Sequence, residues 1–234
     1  MAGSDQTLFE SKEVKMVHIL EEFDLNNIKK TDIDLTRVIH KSNRHSQAFT
    51  LEHVFTPSEC ERLIEITEKV GYTKVPVNYG AFESINEDVR SGFRTIVDDV
   101  DFAEKLWGRI AAHIPQKLMG AKVVGLNERF RFLKYNSNQF FAPHCDGCYT
   151  QPLNKLETSL ITIQMYLNDN FDGGETTFMH PRPNKSGEKI RIPVRPKTGM
   201  VLIFTQDLFH EGSVVKSGYK YTVRTDIMYS YGTA

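Results

Sequence analysis

"SLITIQMYLND", residues 159–169, sets Ile161, Ile163, Met165 and Leu167 against Thr162, Gln164 and Tyr166. A period of two is the signature of a strand, with one apolar face and one polar face. The apolar face is suited to packing on helices. The polar face must point somewhere else. The same period recurs in "ERFRFLKY" (128–135), "GMVLIF" (199–204) and "YKYTVRTDIMYS" (219–230). The last of these sets Lys220, Thr222, Arg224 and Asp226 against Tyr221, Val223 and Ile227. Polar residues turned inward from several strands imply a barrel or jelly roll with a functional interior rather than a dry core.

The preceding half of the chain reads differently. "QAFTLEHVF" (47–55) is strand-like. "TPSECERLIEITEKVGY" (56–72) is a helix with Thr56 as N-cap, Pro57 in the first helical position, Glu59 closing a capping box and Gly71 as the stop. "VDFAEKLWGRIAAHI" (100–114) repeats Phe102, Leu106, Ile110 and Ile114 every four residues, which predicts a second helix. Helices first and strands afterwards predict a mainly β fold, a curled sheet backed by helices on one side. Residues 1–45 read as an N-terminal extension of uncertain order, an edge strand with a short helix at most. Residues 46–234 read as the folded domain.

The bulk numbers bound the function. The chain has 234 residues, 40% hydrophobic and 25% charged, with a formal net charge of −1, an ordinary globular composition. No basic field points to nucleic acid or an anionic membrane surface. No apolar run is long enough to span a bilayer, and "MAGSDQTLFESKEVK" lacks the apolar segment of a signal peptide. A cytoplasmic location is the expectation, with an organelle left open. Oligomeric state is not legible in the chain. Three cysteines do not make a disulfide framework.

"FAPHCDGCY" (141–149) poses a choice between Cys145-x-x-Cys148, for redox or zinc, and His144-x-Asp146, for a metal that takes nitrogen and oxygen. Structural zinc would need two more soft ligands, and the remaining cysteine, Cys60, lies on the first predicted helix. His144 and Asp146 are one residue apart after a strand, so their side chains share a face. His210, at the end of "GMVLIFTQDLFHEG" (199–212), supplies a third ligand. Two imidazoles and a carboxylate form a facial triad that leaves half an octahedron open, the arrangement of a non-heme Fe(II) oxygenase. Ten residues on, Lys220 occupies an inward position. A buried cation needs an anion, and a dicarboxylate cosubstrate would supply one, with Tyr135, Thr162 and Tyr166 as hydrogen-bonding neighbours. Arg224, on the same face, is a rival for that carboxylate.

Taken with "RFLKYNSNQFFAPHCDG", "YLND" and "GGET", this ordered set resembles the catalytic core of the prolyl 4-hydroxylase-like Fe(II)/2-oxoglutarate dioxygenases. The resemblance covers about residues 48–231 and is strongest after 128, with the metal-binding core at about 128–231. It implies a double-stranded β-helix (jelly roll, cupin-like) with the N-terminal helices packed on one sheet. It implies Fe(II) on His144, Asp146 and His210, and 2-oxoglutarate chelating that iron with its far carboxylate on Lys220. Dioxygen would be consumed, succinate and CO2 formed, and an unactivated C–H bond hydroxylated, with ascorbate as reductant.

The substrate is the open part of this reading. Family members that act on prolyl peptides carry an arginine where this chain has Ser159 and a tryptophan where it has Asp226. That departure gives weight to a free amino acid or other small metabolite, hydroxylated or desaturated, with Asp226, Arg131 and Arg224 as candidates for reading a zwitterion's charges. A metal-binding jelly roll without oxygenase activity, or a zinc hydrolase, is the alternative from another class. The stretch "VPVNYGAFESINEDVRSGFRT" (75–95) reads as a substrate lid. "HPRPNKSGEKIRIPVRP" (180–196) reads as a solvated hairpin, and His180 within it as solvated.

Overall fold

The computed structural model describes residues 14–39, 45–78, 83–183 and 187–232. Its main antiparallel sheet runs in the order Lys29–Asp32, Ala48–Glu52, Val201–Thr205, Glu157–Tyr166, Lys220–Ser230, Arg129–Tyr135, Phe93–Asp98 and Thr73–Lys74. A second sheet orders Phe141–His144, His210–Gly212, Thr176–Met179 and Arg191–Val194. The strands predicted from alternation are all present, and the long Glu157–Tyr166 strand lies at the centre, paired with Val201–Thr205 on one side and Lys220–Ser230 on the other.

The two faces of that central strand serve two cores. Ile161, Ile163 and Met165, with Val201, Ile203, Val223 and Ile227, pack against Leu63, Phe102, Leu106 and Ile110 of the two helices. Tyr166, Leu202 and Phe204 turn the other way and meet Phe178 and Val194 of the second sheet. Each fully buried aliphatic side chain contributes about 2 kcal/mol of transfer free energy. Between the two sheets the polar members of the same strands are left facing inward, as the alternation requires.

The first helix, α1, spans Pro57–Val70, with both halves of the Thr56/Glu59 capping box formed and Gly71 (φ +86°) as its C-cap. The second, α2, spans Val100–Ile110, with Asp99 as N-cap accepting from Phe102 N at 3.1 Å. It is shorter than the four-residue repeat predicts. Residues Ala111–His113 tighten into a 3-10 turn because Pro115 follows Ile114 and disfavours helical geometry in the residue before it.

The N-terminal segment is ordered by the starts of both helices. Residues 1–13 and 40–44 of the expected extension lie outside the described residues. Within 14–39, Lys29–Asp32 forms an edge strand on Ala48–Glu52, and Met16, Ile19 and Leu20 are buried in the helix-side core. Met16 N donates to Asp99 at 2.5 Å, and Glu21 N donates to Glu59 Oε1 at 2.8 Å. Glu59 also takes two bonds from the buried Arg109 guanidinium, at 2.6 and 3.0 Å. One carboxylate thereby joins the capping box, α2 and the N-terminal segment.

Candidate metal centre and cosubstrate pocket

His144 ends the strand Phe141–His144, and His210 begins His210–Gly212; the two residues are register partners in the second sheet. Asp146 follows in the turn, its backbone N–H donating to Gln206 O at 3.1 Å. His144 Nε2 lies 3.6 Å from Asp146 Oδ1, and His210 Nε2 lies 3.9 Å from Oδ2. One donor atom from each of the three residues falls within 4.8 Å of the others.

The surroundings suit metal ligation. His144 Nδ1 lies 2.8 Å from Ala142 O, and His210 Nδ1 lies 2.8 Å from Leu208 O. A backbone carbonyl two residues back thus takes the far nitrogen of each ring and leaves Nε2 turned toward the carboxylate, the outer-shell arrangement of metal-binding histidines. Burial pulls His210 down to about 4 against the attraction of Asp146, so its lone pair is free at neutral pH. Asp146 is held well below the ordinary carboxylate range: burial pushes it up, and Arg224 and the two imidazoles outweigh that push. Phe141 stacks on His144 at 3.6 Å between centroids, and Phe204 meets His210 edge-on at 4.7 Å.

A pocket opens beside this cluster, lined by Tyr135, Thr222, Arg224 and Lys220 from the main sheet. Lys220 is 5% exposed. Its Nζ donates to Gly174 O at 2.6 Å and makes no ion pair among the described residues. Two of the ammonium's three N–H donors are therefore open to an anion. Burial pulls it down to about 8, with Glu175 opposing. The "GGET" turn makes this possible. Gly174 (φ +67°) lies against the lysine stem, and a Cβ on Gly173 (φ +74°) would collide with Val214 O.

The remaining site candidates fall in distinct places. Tyr135 lines the pocket with its ring centroid 5.6 Å from Lys220 Nζ. Tyr166 is fully buried in the inter-sheet core, and its hydroxyl donates to Thr176 Oγ1 at 2.7 Å. Thr162 donates to Asp146 Oδ2 at 2.6 Å. Arg224 Nη2 lies 3.4 Å from Asp146 Oδ1 and 3.1 Å from Asp226 Oδ1.

Asp226 is 1% exposed, and its oxygens are taken by Arg131 at 3.2 Å, Arg224 at 3.1 Å and Gln206 at 3.0 Å. It holds a buried network. Arg90 lines the pocket, its guanidinium 4.2 Å from the Phe141 ring centroid. The sequence marks only the 75–95 segment that carries it. Gln164 and Thr176 also line the pocket; their signals were the polar face of the central strand and the last residue of "GGET".

Cys145 and Cys148 are exposed free thiols and Cys60 is buried. Burial first, and nearby carboxylates with it, push the thiols of Cys145 and Cys148 up, the reverse of an activated cysteine. The metal-ligating cluster found among the described residues contains no cysteine. His180 bonds within its own turn, Nδ1 lying 2.7 Å from Arg182 O.

Residues 130–225 match the 2OG-Fe(II) oxygenase superfamily. That stretch is similar to the prolyl 4-hydroxylase-like 2OG-Fe(II) oxygenases. Over 162 residues, 64% of the chain, it is 29% identical to "Probable prolyl 4-hydroxylase 11" of Arabidopsis thaliana. The chain spans 49% of the length of that curated relative. Two solved structures share the jelly-roll fold. One is a viral collagen prolyl hydroxylase from Paramecium Bursaria Chlorella virus-1 in complex with 2OG (20% identity, TM-score 0.51, covering 80% of this chain and 97% of that one). The other is a prolyl hydroxylase from Trichoplax adhaerens in complex with a hypoxia inducible factor oxygen degradation domain peptide fragment (13% identity, TM-score 0.58, covering 82% and 87%). A match to this superfamily implies Fe(II), 2-oxoglutarate and dioxygen as reagents. Among the described residues no helix is long and apolar enough to cross a membrane.

Proposed function

We propose that the chain is an Fe(II)- and 2-oxoglutarate-dependent dioxygenase that hydroxylates an unactivated C–H bond of a peptide or small organic substrate. Succinate and CO2 are the coproducts, and ascorbate maintains the metal as Fe(II). The observation that carries this reading is the pairing, in one pocket, of a convergent His144/Asp146/His210 set with a buried lysine that makes no ion pair among the described residues. A metal-binding jelly roll or a hydrolase has no use for the second feature. The proposed catalytic domain is 46–234, with its metal-binding core at 128–231 and residues 1–45 as an extension. A cytoplasmic location is proposed with it.

Fe(II) bound there would supply dioxygen activation coupled to oxidative decarboxylation of the keto acid. The protein's own groups do the rest. His144 and His210 present Nε2 lone pairs whose direction is set by the carbonyls of Ala142 and Leu208. Asp146 adds the one anionic ligand, with Thr162 on its second oxygen. Lys220 takes the far carboxylate of 2-oxoglutarate, and Tyr135 flanks it. Phe140, Phe141 and Phe204 wall the pocket and keep water from the reacting centre. Arg90 lines the same pocket, which supports a covering role for the 75–95 segment that carries it.

The test is succinate formation from 2-oxoglutarate by the purified protein with Fe(II), ascorbate and air, beside His144→Ala. Uncoupled turnover makes a substrate guess unnecessary. Succinate from the wild type and none from the variant is the expected result. No succinate, together with no visible charge-transfer band on mixing Fe(II) and 2-oxoglutarate without oxygen, would return the chain to the metal-binding or hydrolase class.

A further inference from the structure

Arg131 and Arg224 are register partners on neighbouring strands of the main sheet. Partners in register turn their side chains to the same face. Leu133 and Tyr135, the next residues on that face of the Arg131 strand, line the pocket, as does Arg224. Arg131 itself is not one of the pocket's lining residues. It adjoins the pocket one strand further out than Arg224, away from Thr162 and Asp146.

The two guanidiniums are compensated differently. Burial pulls Arg224 down, but Asp146 at 3.4 Å and Asp226 at 3.1 Å outweigh it and hold the group above its ordinary range. For Arg131 the balance falls the other way. Burial pulls it down, Asp226 does not make up the difference, and Arg224 and Arg129 push in the same direction as burial. Its guanidinium makes one hydrogen bond among the described residues, from Nη1 to Asp226 Oδ2 at 3.2 Å, although its side chain is 22% exposed. A guanidinium has five N–H donors in a rigid fork.

The neighbouring acids are already committed. Asp226 also takes Arg224 and Gln206, and Asp146 is the anionic ligand of the proposed metal centre. Asp98 is held by both arms of Arg129, at 2.9 and 2.8 Å. Two guanidiniums therefore share one free carboxylate. The cluster is one anion short, and Arg131 is its least compensated member. A carboxylate set bidentately on that fork is the ligand that suits it best.

We propose that Arg131 is a specificity-determining residue that binds a carboxylate of the primary substrate, beside the metal centre and outside the 2-oxoglutarate pocket. This rests on the oxygenase reading above and narrows its substrate to one that carries an anionic group. The chemistry is the same for a small carboxylic acid and for an Asp or Glu side chain of a peptide, and the experiment separates the two.

Protein loaded with Co(II) and 2-oxoglutarate is melted without oxygen in the presence of matched pairs of compounds. The first arm sets monocarboxylic acids and N-acetyl amino acids beside their carboxamides. The second sets N-acetylated, C-amidated peptides with an internal Asp or Glu beside the same peptides with Asn or Gln. A ligand that binds the folded protein raises its melting temperature, and calorimetry then gives affinities for the best pair. The acid is expected to bind about tenfold to a hundredfold tighter than its amide, the value of a charged hydrogen bond. The arm in which this occurs identifies the source of the carboxylate.

Arg131→Gln is expected to erase the difference between acid and amide and to leave the stabilisation by 2-oxoglutarate alone unchanged. Arg131→Lys, which keeps the cation without the fork, retains part of the preference and carries the test if the glutamine variant does not fold. Arg129→Gln, on the neighbouring paired arginine, keeps the preference in full. The proposal is overturned if no acid in either arm outperforms its amide, if Arg131→Gln keeps the preference, or if Arg129→Gln removes it equally. Absence of any stabilisation of the wild type by 2-oxoglutarate would instead remove the oxygenase reading itself.

Discussion

His144 and His210 are partners in a single antiparallel register pair, and their ring centroids stand 4.4 Å apart. Sixty-five residues of chain lie between them, yet one ladder position brings both imidazoles to Asp146. The second sheet is the smaller of the two, and its strands Phe141–His144 and His210–Gly212 act as the brace of the site.

Thr162 is the closest polar contact of Asp146, at 2.6 Å. Outer-shell partners of ligating carboxylates affect metal affinity by about tenfold to a hundredfold. Thr162→Val, which keeps the shape and removes the donor, is expected to weaken metal binding by about tenfold in a chelator competition, while Thr162→Ser stays near wild type. Equal affinities for all three proteins would show that the bond does not orient the carboxylate.

Lys220 makes cosubstrate binding pH-dependent. Burial lowers its folded-state value from 10.5 to about 8. Above about pH 8 the ligand-free lysine is neutral, so the affinity for 2-oxoglutarate should fall, by about tenfold per pH unit once the free protein is deprotonated. Lys220→Arg, charged throughout, should show a flat profile over the same range. The stability sign is opposite: between about 8 and 10.5 the unfolded chain holds a proton that the folded one has released, so ligand-free stability rises with pH there. A wild-type affinity that is level from about pH 7 to about pH 10 would exclude Lys220 as the anchor.

Gly173 has no room for a side chain. Its φ of +74° alone costs a non-glycine residue about 1–3 kcal/mol, and the added Cβ would strike the backbone oxygen of Val214. Gly187 has a similar φ of +82° with nothing among the described residues within 4 Å. Thermal melting of Gly173→Ala should therefore fall by several degrees more than that of Gly187→Ala. Equal shifts would mean that backbone conformation, and not the close approach, explains "GGET".

Arg109 is the buried half of an ion pair with Glu59 and also donates to Val54 O and Glu21 O. Arg109→Met leaves a buried carboxylate and two carbonyls without a cation, a loss of about 3–5 kcal/mol, read as a lower midpoint in urea unfolding. The residue is far from the pocket, so the folded fraction should still bind 2-oxoglutarate normally. A change below about 1 kcal/mol would show that water replaces the guanidinium at no great cost.

Local order is legible in the chain itself. The alternation in 159–169 and 219–230, the Thr56/Glu59 capping box and the Gly71 stop are each written in residues close to one another along the chain. The ordered spacing of His144, Asp146, His210 and Lys220 is written there as well, because ligands at strand ends keep their order. The end of α2 is less legible, since Pro115 acts on the residue before it and the four-residue repeat runs on past the helix.

What the sequence alone determined is therefore the strand and helix periods, the candidate ligand set and the polar inner face. What only the tertiary structure decided is which inner residue meets which. Thr162, Tyr166 and Arg224 alternate identically in sequence, and the sheet assigns them to Asp146, to Thr176, and to both Asp146 and Asp226. Arg90 reaches the pocket because its backbone bridges Phe141, a pairing across about fifty residues with no local signal. The physical reason is that periodicity is set by bonds within a strand, whereas cross-strand register and side-chain direction are set by the packing of the two sheets, where every partner is distant in the chain.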